Sequence, residues 1–172
     1  GPTSDQNLTR IDRIEFTIAS YVGGKGTIWL DDLKFEPLQP ETHDYHVPDI
    51  DATSSLKGQY PELMLDNSME TGWQSSSNKE QHVIIDFRAR REFGGLQINW
   101  MKDHYAEGYD IMLSLDGKDW EKAYSVTSNQ GATSFIRLPE AEAKYLKIIL
   151  IKSLDEKGFG IAEIKFLDIK NS

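Results

Sequence analysis

Residues 66–76 read DNSMETGWQSS and place an acid, an amide and several hydroxyl groups beside a tryptophan. Aspartate, asparagine, serine and glycine favour tight turns, because their side chains bond to nearby backbone groups or tolerate positive φ. Tryptophan is instead a large apolar side chain that normally packs in a core. We therefore expect an exposed turn that Trp73 anchors to the interior, with its oxygen atoms held in place and able to act as ligands.

The composition limits the class of protein and its partners. The 172 residues suffice for one domain, or for one domain with an appendage. No apolar run approaches the roughly 18 residues that a membrane span needs. The net charge of -9 repels nucleic acid and anionic lipid, so neither is an expected partner. Because the chain has no cysteine, it has no disulfide, thiol nucleophile or thiolate metal site.

The elements that position the turn are predicted to be short strands. In GLQINWM, and from Tyr109 to Leu115, every second residue is apolar, which indicates strands with one buried face. Similar segments occur at IEFTIAS, GTIWL, HVIIDF, SFIRL, KYLKIIL and IAEIKFLDI, separated by turn signals such as GGKG and DG. One or two helical turns are expected at YPELML, where Pro61 suits a first helical position. The pattern predicts an all-β fold, an antiparallel β-sandwich.

The chain is expected to have four parts. Residues 1–7 are interpreted as a flexible start, with Gly1 and Pro2 left by removal of a tag. Residues 8–38 predict an N-terminal β-hairpin appendage, residues 39–49 a proline-containing linker, and residues 50–170 the main domain. An isolated hairpin is marginally stable in water, so this one is expected to pack on the main domain or on a neighbouring molecule.

From about residue 50 to 169 the landmarks occur in the order ATSS, LMLDNSMETGWQSSS, HVIIDF, LQINWMKDHYAEGYDIMLSLDGKDW, AKYLKIIL and GFGIAEIKFL. This order resembles the discoidin domain, also called the coagulation factor five/eight type C domain, in its sugar-binding branch, the family 32 carbohydrate-binding modules. The resemblance implies an eight-stranded sandwich of the galactose-binding-like jelly-roll type. The segment 8–38, which ends in IWLDDLKFE, resembles the closing strands of another carbohydrate-binding jelly roll.

The resemblance also implies a structural calcium ion beside the turn. Its side-chain ligands would be Asp66, Thr71 and Glu163, with carbonyl ligands near Leu63, Asn67 and Ser68. Calcium prefers about 6 to 8 hard oxygen ligands, and this set offers them. Many relatives have glycine where this chain has Asn67, but asparagine tolerates positive φ better than most residues. The alternative is that Asp66 and Asn67 cap a turn, Thr71 bonds to backbone, and Glu163 pairs with a lysine.

Sugar-binding groups are expected in the loops at one end of the sandwich, as in the family that the chain resembles. We interpret Phe159, which lies between two glycines, as an exposed platform for a sugar ring. The polar or aromatic candidates around it are Gln74, Asn78, Lys79, His104 and Tyr105. Each has a structural alternative, since Tyr105 suits a core position and the others suit solvated loops. Trp29, Trp73, Trp100 and Trp120 are expected in cores.

No catalytic motif is present in the sequence: it has no nucleophile elbow, zinc-binding helix, phosphate-binding loop or dinucleotide fingerprint. We therefore interpret the chain as a non-catalytic carbohydrate-binding module. It would hold a larger secreted, periplasmic or surface protein of a bacterium, such as a glycan-degrading enzyme, on polysaccharide. The first alternative is a spacer or adhesion module that orients a neighbouring domain without binding sugar. Membrane binding, the second, is disfavoured by the negative charge and the polar loop LKGQY.

Overall fold

The structure is a computed structural model. It describes Thr27 and residues 47–167, and it describes residues 93 and 139–141 by their backbone alone. The chain divides into two units, residues 1–42 and 43–172, and the second contains every strand and helix given below. The predicted hairpin at 8–38, with Trp29, and the linker residues 39–46 lie outside the described residues.

The main domain consists of strands joined by loops, with two single turns of 3-10 helix. The strands are β1 (Asp49–Ala52), β2 (Trp73–Gln74), β3 (Gln81–Trp100), β4 (Ala106–Ser114), β5 (Glu121–Val126), β6 (Thr133–Ser153) and β7 (Gly160–Leu167). The 3-10 turns are Pro61–Leu65 and Leu154–Glu156. The first confirms the helical turn predicted at YPELML, and Pro61 begins it. In the described part of the chain, no helix is long and apolar enough to cross a membrane.

Two antiparallel sheets share the long strands β3 and β6. The first half of β3 pairs with β1 and with residues 145–150 of β6, and β6 then pairs with β4, which pairs with β5. The second half of β3 pairs with residues 133–137 of β6 and with β7, which pairs with β2. Register shifts between Asp86 and Arg91 and beside Gly95 separate the two halves. The predicted all-β antiparallel sandwich is confirmed.

The strand count differs from the expected eight, because seven strands are described. HVIIDF and LQINWM were predicted as two strands, whereas they are the two halves of β3. Arg88, at φ 63°, lies between them in a left-handed conformation, and the register with β6 shifts between Asp86 and Arg91, while both halves of β3 pair with β6. Likewise SFIRL and KYLKIIL are the two halves of β6. The periodic pattern identified each half correctly but gave no sign that a bend, rather than a loop, connects them.

The alternating residues form the core as predicted. Val83, Ile85, Leu96 and Ile98 on β3 are fully buried, and Trp73 and Trp100 are at most 5% exposed. Two expectations are wrong. Leu115 is 48% exposed, because β4 ends at Ser114 before the Asp116–Gly117 turn. Trp120 is half-buried outside the core, and Lys147 Nζ lies 3.7 Å from its ring centroid.

One carboxylate on β4 is buried beside its partners. Asp110 accepts a hydrogen bond from the Ser125 hydroxyl on the paired strand β5, and Lys122 Nζ lies 2.6 Å from its Oδ2. The hydrogen bonds from Lys122 and then Ser125 lower the pKa of Asp110 below the usual 3.8, against the opposing effect of burial. Asp110 therefore joins β4 to β5 in its ionised form.

Candidate functional site

Backbone hydrogen bonds fasten four loop segments together at one end of the sandwich. Residues 54–59 contact residues 74–76, since Leu56 N donates to the Gln74 carbonyl and Ser76 N donates to the Ser54 hydroxyl. Residues 101–104 are joined to the start of β7, where Gly160 N donates to the His104 carbonyl. Residues 154–159 complete the group, because Leu154 N donates to the Tyr105 carbonyl. The side chains that these loops carry are therefore held on a fixed backbone.

Gln74 and His104 are in direct contact across two of these loops. The side-chain amide nitrogen of Gln74 lies 3.1 Å from Nδ1 of His104, and both residues are half-buried. Gln74 ends β2, whereas His104 follows Asp103, whose φ of 63° lets the chain turn sharply. Gln74 and His104, both predicted binding residues, therefore form a hydrogen-bonded pair of polar side chains at this end of the sandwich.

Phe159 is not an exposed platform, and that prediction is wrong. Its side chain is fully buried and belongs to the hydrophobic core. Its N–H donates to Ser75 Oγ at 2.9 Å, and its carbonyl accepts from Ser75 N at 2.8 Å. The flanking glycines allow this close approach, since a Cβ on Gly158 would lie 3.1 Å from Ser75 Oγ at a φ of 85°. The two hydrogen bonds between the Phe159 backbone and Ser75 therefore hold the loop of residues 74–77 in place, while the Phe159 ring packs in the core.

The other predicted residues are distributed around this end. The Tyr105 ring packs against the core and lies over Gly131, where an added Cβ would come within 2.6 Å of it. Asn78 is exposed and lines a shallow cavity of about 440 Å³ with Glu107, Lys152 and others. Lys79 is exposed on the same turn, where its N–H donates to Ser77 Oγ. In the described part of the chain, no hydrogen bond or ion pair joins either residue to the Gln74–His104 pair.

Tyr60 is a surface aromatic that the sequence interpretation missed. Its side chain is 52% exposed, and it follows Gln59, whose carbonyl accepts a hydrogen bond from Gln74 N. Tyr60 precedes Pro61 at the start of the 3-10 turn, where its backbone is extended. The sequence signal was an aromatic between a Gly-containing turn and a helix-starting proline. Tyr60 is therefore an exposed aromatic whose neighbour in the chain, Gln59, is hydrogen-bonded to Gln74.

The turn of residues 66–71 brings three of the predicted metal ligands together. Ser68 N donates to Asp66 Oδ1 at 2.9 Å, and the Thr71 hydroxyl donates to Asp66 Oδ2 at 2.6 Å. Asn67 has φ 61°, so its tolerance of the left-handed conformation is used as expected. Gly72 then passes so close to β7 that a Cβ would lie 2.5 Å from the Ile161 carbonyl oxygen.

Glu163 faces this turn from β7 as a buried carboxylate. It is 2% exposed, and its Oε2 has no hydrogen-bond partner among the described residues. Burial raises the pKa of Glu163, and the nearby Asp66 carboxylate raises it further. A hydrogen bond from the Asn67 backbone N–H and the charge of Lys165 oppose these effects and lower the pKa. Two carboxylates and a hydroxyl therefore meet at a site with one unsatisfied oxygen.

The residue chemistry of this site fits a hard divalent cation. The site has two acidic side chains, Asp66 and Glu163. The described residues contain no group of three or more His, Cys, Asp or Glu side chains that could hold a metal ion. A cation here would need carbonyl oxygens as well, and the residues predicted to provide them lie in the 3-10 turn (Leu63) and in the loop that follows it (Asn67 and Ser68).

Comparison with known proteins identifies the family. Residues 49–164 match the F5/8 type C domain. The chain belongs to this family. No curated protein sequence matches it significantly. The match runs from β1 into β7, so it covers the sandwich, the turn at 66–71 and Glu163.

Solved structures share the fold of this F5/8 type C domain. Chitosan-binding module 2 of a chitosanase/glucanase from Paenibacillus sp. IK-5, in complex with chitotriose, is similar with a TM-score of 0.66 and 22% identity over 70% of this chain and 95% of that one. The family 32 carbohydrate-binding module of NanJ from Clostridium perfringens, in complex with galactose, has a TM-score of 0.63 and 16% identity over 69% and 92%. A Ruminococcus gnavus GH29 fucosidase matches with a TM-score of 0.63 and 22% identity, over 70% of this chain but 25% of the fucosidase.

Proposed function

We propose that this F5/8 type C domain is a non-catalytic carbohydrate-binding module whose site is the loop end around Gln74 and His104. The contact between the Gln74 amide and the His104 imidazole carries the proposal. It presents hydrogen-bonding groups of two kinds on loops whose backbones are fixed to one another. Polar groups placed in this way select a ligand rich in hydroxyls without ordering a loop on binding.

The neighbouring residues have separate roles in the proposed site. Tyr60 supplies the exposed aromatic face on which the apolar side of a sugar ring stacks. Lys79 and Asn78, exposed on the adjoining turn, contact hydroxyl or acidic groups of a longer glycan. Tyr105 supports the pair through its packing on Gly131. A shallow site of this size buries little surface, so binding to a single sugar unit is weak.

The module is proposed to act by targeting. Attachment to polysaccharide raises the effective concentration of a covalently linked neighbour near its substrate. Two observations support this proposal: structural neighbours of the domain are carbohydrate-binding modules in complex with sugars, and the same fold forms about a quarter of a fucosidase chain. We propose a secreted, periplasmic or surface location in a bacterium for the same reason.

The site is tested by affinity electrophoresis against a panel of plant, algal and animal polysaccharides. Wild-type protein should be retarded by at least one class, and Gln74→Ala and His104→Ala should each reduce the retardation several-fold while Tm is unchanged. Tyr60→Ala should do the same, whereas Tyr124→Ala, which removes a 41%-exposed aromatic from β5, should have no effect. Lys79→Ala should weaken the retardation less, since Lys79 is proposed to contact only a longer glycan, and Lys118→Ala, in the turn after β4, is its control and should have no effect. Retardation that survives both Gln74→Ala and His104→Ala would place the site elsewhere.

The absence of retardation by every polysaccharide, with the fold intact, would favour the alternative of a spacer or adhesion module. That outcome is separable from misfolding, because the near-ultraviolet circular dichroism of buried Trp73 and Trp100 reports core packing independently of any ligand.

We also propose that Asp66, Thr71 and Glu163 hold a structural calcium ion, with carbonyl oxygens of Leu63, Asn67 and Ser68. The unsatisfied Glu163 Oε2 and the mutual charge of Glu163 and Asp66 support this proposal. A bound cation would neutralise both carboxylates and join the turn to β7. Its contribution is to stability and loop order, in proportion to its occupancy.

Thermal unfolding with calcium and with chelator tests the ion. Calcium should raise the Tm of wild-type protein by several degrees, because a ligand at about 100 times its Kd adds about 2.7 kcal/mol. Glu163→Gln should abolish this response and should raise the Tm measured in chelator, since it removes a buried charge that Asp66 repels. Glu62→Gln, which replaces an exposed acid of the 3-10 turn, is the control. A calcium response that survives in Glu163→Gln would remove Glu163 from the site.

A further inference from the structure

A second surface with an exposed aromatic lies on the sheet formed by β7, β3 and β6, beyond the row in which Asn99 and Glu163 are buried. Phe135 is 72% exposed although it lies within β6. It pairs with Gln97 on β3, which pairs in turn with Lys165 on β7. Residues directly opposite one another in a sheet point to the same face. Phe135, Gln97 and Lys165 therefore form one row across three strands.

The adjoining rows add polar and cationic groups to this surface. Arg137 follows Phe135 by two residues on β6, so it lies on the same face about 7 Å along the strand. On the other side, Thr133 pairs with Asn99, and Asn99 Oδ1 accepts hydrogen bonds from both Gln97 Nε2 and Thr133 Oγ1 at 3.0 Å. The amide of Gln97, which pairs with Phe135 across the strands, is thus held by Asn99.

The two cations of this face are Arg137 on β6 and Lys165 on β7. Among the residues that the structure describes, neither Arg137 nor Lys165 forms an ion pair, whereas Arg88, Lys122 and Lys152 do. Lys165 does lie near Glu163, whose pKa it lowers, but Glu163 is buried and belongs to the turn of residues 66–71. In a chain of net charge -9, the face therefore carries a local positive charge beside a flat apolar ring.

We propose that this face, defined by Phe135, Gln97, Arg137 and Lys165, binds a strand of a glycan that carries carboxylates. Phe135 stacks on one sugar ring, and the guanidinium of Arg137 binds the carboxylate of a neighbouring unit through two parallel hydrogen bonds. Lys165 lies two strand spacings from Phe135, about 10 Å, and meets a further acidic unit. The face is distinct from the Gln74–His104 site, so the proposal does not depend on that site.

The chemistry favours an acidic glycan over other anions. A nucleic acid or an anionic membrane presents many charges to the whole molecule, which repels them, whereas the described residues of this face supply two cations. An acidic peptide would satisfy the cations but has no sugar ring for Phe135. Within the part of the chain that the structure describes, residues 133–137 pair only with β3, so they form an edge of their sheet that a long chain can cross without a pocket.

The test is a titration of the isotopically labelled full chain with oligogalacturonate, monitored through its backbone amide resonances. Two matched probes accompany it: the methyl ester of the same oligosaccharide, which lacks the charge, and polyglutamate, which lacks the rings. We expect oligogalacturonate to shift the amides of Phe135, Gln97 and Lys165. The ester and polyglutamate should each bind at least about tenfold more weakly, which corresponds to one or two lost contacts.

Variants separate this face from the loop site. Phe135→Ala should weaken oligogalacturonate binding about tenfold and should change Tm by less than about 2 °C, as at other exposed positions. Arg137→Gln should bring the affinity for the acid down to that for the ester. His104→Ala should leave the shifts of Phe135 and Gln97 unchanged.

Three results would overturn the proposal: no shift at these amides, equal binding of acid and ester, or polyglutamate binding as tightly as the glycan. A marked fall in Tm on Phe135→Ala would also overturn it, because the ring would then be covered by another part of the chain. A failure here with retained binding at Gln74 and His104 leaves the loop site intact, so the two proposals fail separately.

Discussion

Replacing Phe159 by alanine should destabilise the fold strongly, because its side chain is a fully buried part of the core. Transfer of the ring from the interior to water costs about 2 kcal/mol. A cavity of roughly 100 Å³ left behind adds about 2 kcal/mol, at about 24 cal/mol per Å³. The expected loss is therefore about 4 kcal/mol, a large part of the ~5 to 15 kcal/mol by which domains are stable.

Urea unfolding followed by tryptophan fluorescence measures this loss, since Trp73 and Trp100 are both buried. Phe159→Ala should lower the midpoint markedly with a similar slope, and Phe159→Leu should recover more than half of the loss. Phe135→Ala, which removes the same ring from a 72%-exposed position, is the matched control and should change stability by less than about 0.5 kcal/mol. An unchanged midpoint for Phe159→Ala would refute the burial of this ring and restore its role as a sugar platform.

Three other predictions concern charge and glycine positions. Asp110→Asn should lower the free energy of unfolding by about 1 kcal/mol at neutral pH, since Lys122 stabilises the ionised form of Asp110. Because folding lowers the pKa of Asp110, the difference from wild type in urea unfolding should disappear as the pH falls below 3.8. A difference that stays constant with pH would contradict this prediction. Gly160→Ala should weaken sugar retardation in electrophoresis more than it lowers Tm, because the new Cβ would lie 3.0 Å from His104 Cβ and displace that loop. Gly72→Ala should lower Tm by several degrees, since its Cβ would meet the backbone of β7 at 2.5 Å, and an unchanged Tm would show that the turn can move.

The sandwich could be predicted from the sequence because its strands alternate regularly. Leu96 and Ile98 are apolar, whereas Gln97 between them is polar, and such a pattern specifies both the strand and its buried face. The bend of β3 could not be predicted in this way. It depends on Arg88 adopting a positive φ, which arginine rarely does, and on the pairing of Asp86 and Arg91 with β6 residues that lie 59 and 52 positions later in the chain.

The part of the candidate site that depends on residues close together in the chain could be predicted from the sequence. The part that depends on tertiary packing was predicted wrongly. Asp66 and Thr71 lie five residues apart in a turn, so their contact follows from short-range geometry. Phe159 was assigned to the surface because glycines flank it. In the structure those glycines serve a close approach to Ser75, which lies 84 residues earlier in the chain. Only the tertiary structure distinguishes a glycine that exposes its neighbour from one that lets its neighbour be buried.

A resonance titration of the full chain with neutral oligosaccharides tests most directly whether the loops around Gln74 and His104 bind sugar. If they do, the Gln74 side-chain amide and the backbone amides of residues 101–104 should shift in proportion to bound ligand. Residues 115–120, which follow the end of β4, should not respond. Binding that shifts other amides and leaves Gln74 and His104 unchanged would contradict the assignment of this site.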